Sequence, residues 1–159
     1  MRAALVVTIL LRTAAAAELA PGSAIGVLAI TSAGATKLPL DRTYAHVGLL
    51  VAIGCNKAIV LQGFRAVDAA MVFDLLGGYE RPPDFDKLQR LTRADAFIDG
   101  TVFTPGDAPQ TVKLHLRDAK TGDELRQFAI EINPQRAIQW KADAVAMGER
   151  ACRELLSRK

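Results

Sequence analysis

Reactive side chains are scarce in this sequence. Its 159 residues include two cysteines, two histidines, one tryptophan and three serines. His46 and His115 belong to no metal-ligand spacing, and two histidines make a poor ligand set. Neither Ser23, Ser32 nor Ser157 lies in Gly-x-Ser-x-Gly. A nucleophilic Cys55 would need a base such as His46, and nothing else supports that pair. Gly77-Gly78 is no phosphate cradle, because neither Gly-x-x-x-x-Gly-Lys nor Gly-x-Gly-x-x-Gly is present. Asp84 and Asp86, two apart, suit a helix start better than a shared proton. The sequence therefore nominates no catalytic residue, no cofactor and no metal site, and the expectation is a protein that is not an enzyme.

Long apolar runs and charge of one sign are missing too. The first apolar stretch, Ala3 to Leu11, is far below the ~20 residues that span a bilayer. With Arg2 before it and Ala14 to Ala17 after it, it has the layout of a secretory signal peptide. Residues 1–17 are expected to be that leader and 18–159 a single domain without a transmembrane segment. Arg12 cuts the apolar stretch short and supports the alternative, a cytoplasmic protein. The formal charge is +3, from 20 basic and 17 acidic residues; without Arg2 and Arg12 it is 18 against 17. Arg81, Lys87, Arg90 and Arg93 are interleaved with Asp84 and Asp86, so no basic stripe points to nucleic acid. Cys55 and Cys152 could pair in an oxidising compartment and contribute ~2–4 kcal/mol by closing a long loop. Two small buried hydrophobes are the other reading of the same residues.

What is present is a core. Half of the residues are apolar, and a domain of this size buries roughly 68–70% of its unfolded surface. Ile25 to Ile30 reads as a strand buried on both faces, followed by a loop over 31–39. A helix is expected from Asp41 or Thr43 to Gly54 or Asn56, despite Gly48 in its interior. Ala58 to Leu61 reads as a second strand, extending as far as Val67. Asp68 to Leu76 and Asp84 to Arg93 read as short helices, the second with Phe85, Leu88 and Leu91 on one apolar face.

Three strands follow. In the first, Ala96, Ile98 and Val102 share one face and Phe97 and Phe103 the other, with Gly100 at a bulge or a crowded position. In the next, Val112, Leu114 and Leu116 alternate with Lys113, His115 and Arg117. Thr121-Gly122-Asp123 makes a hairpin to the third, which carries Phe128, Ile130 and Ile132. Asn133-Pro134 then starts a C-terminal helix with Val145, Gly148, Cys152 and Leu155 on one face. The order is β-α-β-α-α-β-β-β-α. It describes an α+β fold: a mixed sheet of four to five strands with helices packed mainly on one face.

Several of these segments are similar to one family. Ala94-Asp-Ala-Phe-Ile-Asp-Gly-Thr-Val102, Gly106-Asp107, Val112 to Asp118 and Thr121 to Leu125 resemble the amino-terminal domain of TolB and TolB-like domains of bacterial envelope proteins. Ile25 to Leu28 and Gly63 to Asp68 fit the same pattern, which covers roughly residues 24–156. The resemblance implies a periplasmic, non-enzymatic docking module serving envelope integrity or protein translocation, with an envelope protein as partner. In TolB a β-propeller carries the contact with the peptidoglycan-associated lipoprotein, and the mature N-terminus carries that with TolA. No propeller follows within these residues and Glu18 to Ala24 shows no match to the TolA-binding segment, so neither contact carries over. Envelope lipoproteins of the curli-secretion or peptidoglycan-synthase-activator kind look similar and form a second possibility.

Docking candidates are the apolar and aromatic residues of loops: Phe64, Tyr79, Pro82 and Pro83, with Arg81 beside them. Packing over a sheet edge is their other reading. A small cytoplasmic enzyme or ligand-binding protein remains the alternative of another class. A sizeable polar pocket holding a histidine beside a carboxylate would favour it.

Overall fold

The structure, a computed structural model, describes residues 18–33, 47–77, 82–103, 110–132 and 140–157. Five strands form one mixed sheet: β1 (Ala24–Ala33), β2 (Arg65–Val67), β3 (Ala96–Phe103), β4 (Gln110–Asp118) and β5 (Glu124–Ile132). Four helices join them: α1 (Val47–Leu61), α2 (Ala69–Leu75), α3 (Phe85–Thr92) and α4 (Trp140–Ser157). The element order is the expected one, and the spatial order is β2-β1-β3-β4-β5. β1 is parallel to both β2 and β3, while β3, β4 and β5 are antiparallel.

Topology places the helices. The crossover from β1 through α1 runs one way along the sheet to β2, and the crossover through α2 and α3 runs back past β1 to β3. Crossovers of the same hand that run in opposite directions lie on opposite faces. The long α1 and α4 cover one face, over Ile25, Val27, Ile98, Leu114 and Leu116. The short α2 and α3 cover part of the other, where Ala69, Phe73 and Leu88 pack on Leu28 and Phe97. Asp68 and Asp84 cap these two helices, each carboxylate accepting a backbone N–H three residues on. Leu91, expected on the apolar face of α3, is 59% exposed, because Phe85 and Leu88 already meet the sheet there.

The helix after β1 departs most from expectation. It does not stop at Gly54 or Asn56 but runs on to Leu61, so Ala58 to Leu61 is helix and only Arg65–Val67 is strand. Its N-terminal start at Asp41 or Thr43, the leader and the Asn133-Pro134 start of α4 lie outside the described residues. Gly54 stays helical because its missing side chain is what α4 requires. A Cβ on Gly54 would lie 2.1 Å from the carbonyl oxygen of Val145, and one on Gly148 would lie 2.2 Å from that of Val51. The two helix backbones touch at this pair of glycines. One residue along from Gly54, Cys55 is bonded to Cys152, with Cα atoms 5.2 Å apart and both residues fully buried. Lys57 reaches across to Glu149 at 2.8 Å and closes the same crossing from the solvent side.

Replacing Gly148 with Ala tests this contact. Alanine at an ordinary helix interior stabilises by up to ~1 kcal/mol relative to glycine. Here the added methyl meets backbone, and overpacking of that kind typically costs about 1–3 kcal/mol. Urea denaturation of Gly148→Ala should therefore show a net loss of about 1–2 kcal/mol. A gain would mean that the helices do not touch at this point.

Candidate functional site

The half of the sheet that α2 and α3 leave uncovered is polar. Alternation along β4 directs Val112, Leu114 and Leu116 to the core under α1 and α4, and Lys113, His115 and Arg117 to the open face. Register with β3 sets Asp99 opposite His115 and Thr101 opposite Lys113 on that same face. The irregularity after Leu116 pairs Arg126 with Leu116 but Glu124 with Arg117, leaving Leu125 as the extra residue. That bulge sets Glu124 on the open face. Gly100 is the crowded position expected of it, since a Cβ there would lie 2.5 Å from the Lys113 carbonyl oxygen.

The polar side chains pair with one another. Arg117 donates from Nε to Asp99 Oδ2 at 2.6 Å and from Nη1 to the Gly122 carbonyl at 3.3 Å. His115 Nδ1 lies 2.5 Å from Glu124 Oε2, and with that nitrogen donating, the neutral ring keeps Nε2 as an acceptor. Asp99, His115 and Arg117 are partly shielded, the histidine most, at 17% exposure, while Glu124 is exposed. Next to them a cleft of about 360 Å³ opens between the sheet and the α2–α3 layer. Leu28, Phe73 and Pro83 form its apolar wall, and Asp99, Thr101, His115 and Arg117 its polar one.

The neighbouring β4–β5 turn is tightly held. Asp118 accepts from the backbone N–H groups of Lys120 and Thr121, each at 2.8 Å. The Thr121 N–H is the main reason its carboxyl sits below the ordinary 3.8. Gly122 has φ +78°, and a Cβ on it would run into the Phe85 ring, so the turn needs glycine on two counts. Phe85 in turn stacks at a tilt on Phe97, 6.0 Å between centroids, joining turn, α3 and sheet.

The residues singled out from the sequence do not converge on this cleft. Cys55 on α1 and Cys152 on α4 lie on the far side of the sheet, bonded between the two helices. Phe64 is half-buried against that same core, and its N–H donates to the Ile59 carbonyl at 3.0 Å, so its ring packs rather than projects. Tyr79, Arg81 and His46 lie outside the described residues. Among the described loop candidates only Pro83 lines the cleft, while Pro82 is exposed beside a separate hollow between α2 and α3. Asp84 starts α3 as expected, and Asp86 pairs with Arg90. Asp99, Thr101, Arg117 and Glu124 were not visible as a group. The signal was the polar alternation of β4, read together with a carboxylate in mid-strand on β3. Among the described residues no group of histidine, cysteine and carboxylates is arranged to hold a metal, and no helix is long and apolar enough to cross a membrane.

No family model matches the chain, those of TolB-like domains included. No curated protein matches it either. Solved structures do. The PelC dodecamer of Paraburkholderia phytofirmans superimposes with a TM-score of 0.52 at 17% identity, over 89% of this chain and 93% of that one. Lipoprotein GNA1162 of Neisseria meningitidis gives 0.53 at 16% identity, over 79% of this chain and 94% of that one. At such identities the likeness concerns the fold. The fold is one shared with a bacterial lipoprotein.

Acid should expose the charge pairing at the α1–α4 crossing. Hydrogen bonding and charge from Lys57, assisted by Arg153, hold the Glu149 carboxyl below its ordinary 4.5. A carboxyl lowered in the folded state stabilises above its unfolded value, and the gain is lost as pH falls through the folded one. Lys57→Ala should thus be less stable than wild type at neutral pH, with the gap narrowing as pH falls below 4.5. Thermal unfolding across that range measures it, and a gap independent of pH would show that the pair does not favour the ionised form.

Proposed function

We propose that this chain is an exported, non-enzymatic interaction module of a bacterial cell envelope. The observation that carries the reading is the buried Cys55–Cys152 bridge in a fold shared with a bacterial lipoprotein. Disulfides persist in oxidising compartments and are rare in the cytosol. The leader-like residues 1–17 support the same compartment. The charged Asp99 and Arg117 of the cleft are engaged with each other, and among the described residues its lining includes no cysteine or serine. Docking in TolB-like fashion, for envelope integrity or translocation, is the finer form of this proposal, with Tyr79 and Arg81 as its contact residues and Phe64 buttressing from the core.

One observation favours a second reading, ligand binding. A polar cleft lined by a histidine and a carboxylate supports it: His115 and Asp99 both line the cleft, opposite each other across β3 and β4.

Intact mass of the protein from its native host, with and without thiol alkylation, tests export. Loss of the residues up to about Ala17 and two unreactive cysteines are expected. An intact Met1 end with two alkylated thiols would move the protein to the cytoplasm and remove the docking proposal's main support. The contact residues are tested separately, by replacing Tyr79 and Arg81 together with alanine. Stability should change by less than ~1 kcal/mol while crosslinking to envelope proteins falls. A larger loss of stability would show that the two residues belong to the core.

A further inference from the structure

We infer that the cleft beside Asp99, Thr101, His115 and Arg117 binds a neutral, hydroxylated small molecule of mono- or disaccharide size. The inference rests on the ligand-binding reading and names its ligand class. Size comes first: about 360 Å³ lies at the lower end of small-molecule sites, which run from about 300 to 1,000 Å³.

Position comes second. The cleft floor lies where β1 and β3 lose register, with Val27 paired to Ile98 but Ile30 to Gly100. β1 spends three steps where β3 takes two, and Asp99 sits opposite the excess. Bulges of this kind re-aim side chains beside sites. A second bulge, at Leu125, brings Glu124 to the same face. Two irregularities converge on one polar cluster in a sheet that is otherwise regular across β3 and β4.

Charge decides the class. The cleft is lined by one carboxylate, Asp99, against one guanidinium, Arg117, with His115 adding positive charge only when protonated; Glu124 and Lys113 lie on the same face outside the lining. An anion entering the cleft would have to compete with Asp99 for the guanidinium at 2.6 Å, and a cation with Arg117 for the carboxylate. Hydroxyl groups face no such competition. A carboxylate has about four lone-pair sites and a guanidinium five N–H donors, and the bonds within the cluster leave several of each unused. Adjacent hydroxyls of one ligand can donate to Asp99 and accept from Arg117 together. Thr101 supplies a hydroxyl able to do either, Thr31, whose hydroxyl donates to the Gly100 carbonyl at 3.5 Å, can still accept, and Leu28, Phe73 and Pro83 offer a wall to C–H faces.

Two-dimensional NMR of the whole chain tests this with four probes: methyl glucoside, lactose, methyl glucuronide and inorganic phosphate. The two neutral sugars should shift the amide signals of Asp99, Thr101, His115 and Arg117, with dissociation constants of about 1–10 mM. Methyl glucuronide, equal in size but anionic, should bind at least about tenfold more weakly. Thr101→Val should weaken sugar binding by a similar factor and leave the rest of the spectrum unchanged. Asp99→Asn, which keeps the shape and frees Arg117 of its competitor, should reverse the preference towards methyl glucuronide; a merely structural aspartate would not do this. Tighter binding of phosphate or methyl glucuronide to the wild type would overturn the neutral class while keeping the ligand-binding reading. No shift with any probe would overturn both. Sugar binding that neither variant alters would place the site elsewhere.

Discussion

Gly54 and Gly148 set the distance between α1 and α4, and the core on that side of the sheet is built around it. With no side chain at either position, each helix presents bare backbone to the other, and Cys55 and Cys152 come within bonding reach beside them. Interiors pack at crystal-like density, so a helix pair held this close fixes the volume left for Val51, Ile59, Ala151 and Leu155 between it and the sheet. The bridge spans 97 residues of sequence, and constraining a loop of that length restricts the unfolded chain by roughly 2–4 kcal/mol. The glycines and the cysteines are one device: close approach makes the bridge geometrically possible, and the bridge keeps the approach from opening.

That device occupies one face and leaves the other to a thinner layer. The short α2 and α3, seven and eight residues long, cannot cover the whole of a five-stranded sheet in which β4 and β5 have nine residues each. They shield β1 and the start of β3, where Gly26 lets Ala69 approach, and stop before β4 and β5. The remaining sheet surface has to be compatible with water, which is why β4 carries lysine, histidine and arginine there. Opposite charges facing each other across strands stabilise a sheet modestly, of the order of 0.2–1 kcal/mol per pair. Exposed polar residues would have met the solubility requirement alone. Partial burial of Asp99 and Arg117 in mid-sheet goes further, because charged groups lose hydration there.

How much of this the sequence discloses depends on how local each cause is. Period-two alternation in β3 and β4, the aspartates before α2 and α3, and Gly122 in its turn all act over a few residues, and all read directly. The course of α1 does not. Its residues are apolar on every side, with Leu49, Ile53 and Val60 left exposed, so no stripe marks it as a helix. Ala58 to Leu61 passes equally well for a buried strand, and Gly54 with Asn56 for a helix end. What keeps the helix going is a contact with Gly148, ninety-odd residues away, and no local pattern carries that information. The polar cleft escapes for the same reason: Asp99, Arg117 and Glu124 meet only through strand register and two bulges.

The two faces therefore bear differently on function. The α1–α4 face concerns survival: its bridge is fully buried, so a reductant reaches it only when the pair opens. A chain placed in an oxidising compartment gains from that arrangement, and a chain kept in the cytosol has little use for it. The open face is where both proposals of recognition point, since the Asp99–Arg117 pair and His115 line a cleft there. The two proposals draw on different residues: docking on Tyr79 and Arg81 in the sequence after α2, and a small neutral ligand on the β3–β4 surface. Pro83 borders both, lying just after Arg81 in the chain and on the wall of the cleft. A ligand seated against Pro83 would thus sit two residues in sequence from Arg81, the proposed contact residue, which makes the two proposed roles compatible in one domain.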